Sequence, residues 1–67
     1  MNITIDNKKY DIVNIISYSN KDYIAYSDDN NTYISEIAFI NNKYVIKDID
    51  DNLLEKIKHE MENENES

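Results

Sequence analysis

The sequence predicts an α+β domain, a five-stranded antiparallel β-meander with one C-terminal amphipathic helix packed on one face. Three observations lead there. Between Asn2 and Asp48, five short apolar, tyrosine-rich segments alternate with polar ones. The four polar segments suit antiparallel hairpins, whereas a parallel crossover needs a dozen residues or more. After Ile49 the apolar spacing changes from alternation to helical periodicity. The meander is expected to twist strongly, with the helix over its concave side; a small open barrel is the alternative architecture.

Ile3 and Ile5 alternate with polar neighbours and make a short first strand, which Asp6-Asn7-Lys8-Lys9 turns back. The second strand, Tyr10 to Tyr18, is the longest. Simple alternation points Ile12 and Ile16 one way and Val13 and Ile15 the other. A strand that is apolar on both sides belongs inside a sheet, and this one has room for a bulge. Ser19-Asn20-Lys21-Asp22 is turn material, and Tyr23-Ile24-Ala25-Tyr26 is a third strand rich in β-formers. Asp28-Asp29-Asn30-Asn31 follows as a hairpin loop of residues that tolerate left-handed geometry and bond to their own backbone. The fourth strand puts Tyr33, Ser35, Ile37 and Phe39 on one face and Ile34, Glu36, Ala38 and Ile40 on the other. Asn41-Asn42-Lys43 leads into the fifth, Tyr44 to Asp48. With no glycine or proline in the chain, asparagine, the non-glycine residue most tolerant of positive φ, takes the turns.

Helix 50–62 begins at Asp50 as N-cap, with Ile49 placed to staple onto Leu54. Leu53, Leu54, Ile57 and Met61 fall in one stripe roughly 100° wide, which is directed at the sheet. Residues 1–62 thus form a single domain. Residues 63–67 carry no apolar side chain and are expected to be a disordered acidic tail. A domain of 67 residues is near the lower limit for a self-sufficient core, with an expected stability of roughly 3–10 kcal/mol.

The formal charge is −7, and it is uneven: residues 1–49 carry net −2, residues 50–67 net −5. Such a field repels phosphate backbones and anionic membranes, so direct nucleic-acid and membrane binding are not expected, and a basic protein partner is favoured. The absence of cysteine excludes a disulfide framework and thiolate metal sites. No stretch approaches the roughly 18 apolar residues of a membrane span, and Met1 to Asp6 does not read as a signal peptide. Together these predict a cytoplasmic protein.

No pattern in the chain supports catalysis, a cofactor or a metal. Asp48, Asp50 and Asn52 occupy the first, third and fifth places of a calcium loop, yet Leu53 replaces the required glycine and His59 the closing glutamate. These residues read instead as a strand end and a helix cap. His59, the lone histidine, falls nearly opposite the apolar stripe and faces water. Ser17, Ser19, Ser27 and Ser35 match no nucleophile motif. The six tyrosines, Tyr10, Tyr18, Tyr23, Tyr26, Tyr33 and Tyr44, lie in strands, where cross-strand packing is their ordinary use. A stacking platform for single-stranded nucleic acid needs basic surroundings that this chain lacks.

The segment Tyr10 to Tyr26, an apolar strand ending in an aromatic followed by a short turn and Lys21-Asp22-Tyr23, resembles the hairpin of the YrzB-like proteins. Tyr33-Ile34-Ser35-Glu36 is similar to that family's next strand, and Ile49-Asp50-Asp51 before Leu53-Leu54 to its entry into the last helix. The family comprises small acidic bacterial proteins without an established activity, so the resemblance implies this fold and a bacterial cytoplasmic setting. It brings no functional residues. The chain departs from the family at Asp6-Asn7-Lys8-Lys9, where a glycine-containing acidic turn is usual, and at the short loop Asp28 to Asn31.

A complete fold without a chemical site acts through its surface. The expected function is therefore a non-enzymatic protein-interaction or regulatory module. A homodimer through the open sheet face is the simplest assembly. The alternative is an acidic nucleic-acid mimic that inhibits a basic protein.

Overall fold

The computed structural model describes residues 1–65. Strands β1 (Asn2–Ile5), β2 (Lys8–Tyr18), β3 (Lys21–Ser27), β4 (Thr32–Ile40) and β5 (Lys43–Lys47) form one sheet in sequential order, followed by helix α1 (Asp51–Asn65). Every neighbouring pair is antiparallel. The predicted fold class is the observed one, and the sheet is bent nearly into a barrel.

Three of the hairpins close on only two residues, Asp6-Asn7, Ser19-Asn20 and Asn41-Asn42, with φ between 50° and 66° at both positions. This is the type I′ pattern, whose twist matches that of the strands it joins and which normally recruits glycine. The second position is asparagine each time; the first is aspartate, serine or asparagine. The fourth loop works differently, since none of Asp28 to Asn31 has positive φ. There Asp28 Oδ1 accepts from the backbone N–H groups of Asn30 and Asn31, both at 2.9 Å. The side chain replaces the left-handed backbone that the sequence led us to expect.

A bulge between Ile12 and Asn14 overturns the simple alternation of β2. Ile12 pairs with Tyr26, but Ile15 pairs with Ile24 and Ile16 with Tyr23. One extra residue reverses the parity of the strand, because side chains alternate with period two. Ile12 and Ile15 therefore share one face, and Ile16 goes to the other. Val13, the unpaired residue, is 60% exposed.

On the face bearing α1, Ile16, Tyr23 and Ala25 pack with Ile57 and Met61, and Ile34, Ile49 and Leu53 close the margin. Asp50 caps the helix: its Oδ1 accepts from Leu53 N–H at 2.8 Å, and its carbonyl from Leu54 N–H at 2.9 Å. Leu54 belongs to the helix rim rather than the centre of this cluster, so the working stripe is Leu53, Ile57 and Met61. The helix continues past the predicted limit at Glu62 to Asn65. Glu66 and Ser67, the rest of the expected tail, lie outside the described residues.

The opposite face carries a second cluster of Ile3, Ile24, Tyr26 and Ile37, flanked by Ile5, Tyr10, Ile12 and Ile46. Ile24 is wholly buried although no helix covers it. The explanation is curvature. In a flat sheet β1 and β5 would stand roughly 19 Å apart, whereas Met1 and Ile3 share the lining of one cavity of about 140 Å³ with Ile37 and Tyr44. The sheet has rolled its edges toward each other around this second cluster. Its concave side is thus the side away from α1, contrary to the expectation that the helix would cover the concavity.

Candidate protein-binding surface

The residues singled out in the sequence fall in separate places. Asp50 is occupied as a helix cap, while Asp48 and Asn52 are exposed. Among the described residues no group of three or more His, Cys, Asp or Glu side chains could hold a metal ion. His59 is exposed on α1. Ser17 Oγ donates to Asp22 Oδ1 at 2.7 Å, and Ser35 is buried with its Oγ 3.2 Å from the Tyr26 hydroxyl. Both hydroxyls serve the sheet.

Three of the tyrosines meet at one corner. Tyr26 stacks on Tyr33 with centroids 5.4 Å apart, and Tyr10 meets both edge-on at 5.0 and 6.0 Å. Lys8 lies over Tyr10, 5.3 Å from the ring centre, and bonds Asp28 Oδ2 at 3.1 Å. The Tyr33 hydroxyl donates to the same oxygen at 3.2 Å. With two backbone N–H groups and the lysine on its carboxylate, Asp28 has its pKa lowered to about 2. The same bond, with the charge of Asp28, raises Lys8. This corner pins the β3–β4 loop to the start of β2.

Two other surfaces stand open among the described residues. At one end of the curled face, Ile15 and Tyr44 are 50% and 65% exposed at the mouth of the small cavity, and Met1 is almost fully exposed. Phe39 stacks on Tyr44 at 4.9 Å and is 58% exposed. The second surface is a groove of about 580 Å³ beside the first half of β4, walled by Leu54 and Lys58 of α1 and by Asp48. Sequence reasoning missed this groove, although its signal was present. A predicted fourth strand of eight residues beside a fifth of five leaves part of β4 without a neighbour on that side.

Comparison of the chain with family models, curated proteins and solved structures finds no match. Geometry alone defines the class: a curled meander with one helix on its convex side and two open surfaces, one apolar and one mixed. No helix is long and apolar enough to cross a membrane among the described residues.

Proposed function

We propose that the chain is a non-enzymatic protein-interaction module of the bacterial cytoplasm, and that its contact surface is the apolar end of the curled face. The observation that carries this is the gathering of Met1, Ile15 and Tyr44 around one small cavity, with Phe39 stacked on Tyr44, each of the four half or more exposed. Large apolar and aromatic side chains grouped in this way are the usual anchors of protein contacts.

A second copy is the simplest occupant, because one patch can meet itself across a two-fold axis. The field favours this arrangement. Helix α1 carries five acids against two lysines on the far side of the sheet, so two copies meeting at the apolar end keep these charges apart and screened by salt. An acidic mimic has less support, since Lys56 and Lys58 interrupt the carboxylates of α1 and a mimic needs them evenly spaced.

Sedimentation from micromolar to millimolar protein tests the proposal. A reversible dimer is expected, and Ile15→Glu or Tyr44→Glu should shift it to monomer. A wild-type chain that stays monomeric throughout would rule out self-association by this face.

A further inference from the structure

We propose that the groove between β4 and α1 receives an extended, basic segment of another protein, added to the sheet as a further strand along Thr32–Ser35. The inference shares with the preceding section only the view that the chain binds proteins. It concerns the open edge of β4 and a different partner.

β5 pairs with β4 from Ile40 to Glu36 and no further, while β3 pairs with β4 from Ile37 to Thr32. The first four residues of β4, Thr32 to Ser35, consequently have a neighbour on one side only. Past Lys47 the chain leaves the sheet and enters α1 through Asp48, Ile49 and Asp50. In a hairpin closed by two residues, Ile40 and Lys43 exchange both backbone hydrogen bonds, and along an antiparallel strand the direction alternates. The even-numbered residues of β4 therefore direct N–H and C=O toward β5. Beyond its end, those of Thr32 and Ile34 point at the open edge. No backbone hydrogen bond from outside the sheet reaches either residue among the described residues.

The groove lies where an added strand would go. It is lined by Tyr33 and Ser35 from one face of β4 and by Ile34 from the other, so it wraps the edge rather than lying over a face. Four residues of strand span about 13 Å, and one helix wall with Leu54 half-buried in it offers an apolar footing for alternate side chains of the incoming segment. Strand addition of this kind draws its affinity from main-chain bonds and its selectivity from the flanking walls.

Charge selects the occupant. Asp48 lines the groove, and exposed Asp51, Glu55 and Glu62 follow one another along the adjoining side of α1. Lys58 also lines it, flanked at helical spacing by Glu55 and Glu62. The rim is net negative, which attracts a basic strand and opposes a second copy of this acidic chain, whose own carboxylates would meet these.

The test uses the full ¹⁵N-labelled chain and a library of eight-residue peptides alternating Lys or Arg with Val, Ile or Tyr. A binding peptide is expected to shift the amides of Thr32 to Ser35 and Leu54, and to slow exchange of the Ile34 N–H at least tenfold. Methylation of alternate peptide nitrogens should abolish binding, Asp48→Asn with Glu55→Gln should weaken it several-fold, and glutamate in place of lysine should remove it. Failure of every member to protect Ile34, equal binding of the methylated form, or shifts confined to Met1, Ile15 and Tyr44 would overturn the proposal. So would protection of Ile34 that rises with protein concentration alone, which would make a second copy the occupant. Variants Ile15→Glu and Tyr44→Glu should leave peptide binding unchanged, which separates this site from the apolar end.

Discussion

On the convex side of the sheet Ile57 reaches zero exposure because α1 lies across β2 and β4; on the concave side Ile24 reaches it beneath no second element at all. The first side is sealed by apolar periodicity in fifteen helical residues, the second by a bulge and by tight hairpins that roll the sheet around its own side chains. A small domain can thus bury both faces of one sheet with a single helix. The cost falls at the ends of the roll, where closure is incomplete and Ile15, Phe39 and Tyr44 stay exposed.

The helix side is where the largest loss is expected. A chain ending at Ile49 loses Leu53, Ile57 and Met61 together, and should show no cooperative unfolding transition by circular dichroism. Single substitutions then compare the two faces directly. Ile57→Ala and Ile24→Ala should each cost about 2–5 kcal/mol in urea unfolding, since both residues are wholly buried. A cost under about 1 kcal/mol for Ile24→Ala would mean that curvature alone does not make a core.

Smaller changes probe the devices at the margins of each face. Asp50→Ala removes the cap of α1 and should cost about 1 kcal/mol, with Asp50→Gly costing only a few tenths. On the curled side, Asn42→Gly should raise stability by about 0.5 kcal/mol because the turn already holds φ of 63° there, whereas Asn42→Val should lower it by about 1–2 kcal/mol. Asp28 gives the weakest lever. Its pKa falls from 3.8 to about 2 on folding, so its contribution is present above about pH 4 and disappears as pH drops toward 2. Asp28→Asn should flatten that part of the acid-unfolding curve.

Much of this was legible before any coordinates. Strand order, antiparallel pairing and the Asp50 cap follow from alternation, short polar turns and a recognisable helix start. The destination of Ile12 was not legible, because one bulged residue reverses every position before it and only pairing with Tyr26 reveals the shift. The concave side was misplaced for a related reason: Ile3, Ile24 and Ile37 look like an uncovered face until the edges are brought together in space. Asn63 to Asn65 have no apolar signal, yet they extend a helix already formed. The groove depends on the difference in length between β4 and β5, a relation between two elements that neither displays alone.

The sequential pairing of the strands also bears on how the molecule assembles. Each ladder joins neighbours in the chain, and three of the loops to be closed are two residues long, so pairing can spread from any hairpin with little entropic delay. During synthesis the sheet emerges ahead of its helix. Until α1 follows, Ile16, Tyr23 and Ala25 form a sticky, uncovered plane, and that brief interval is when the nascent polypeptide is most exposed to aggregation.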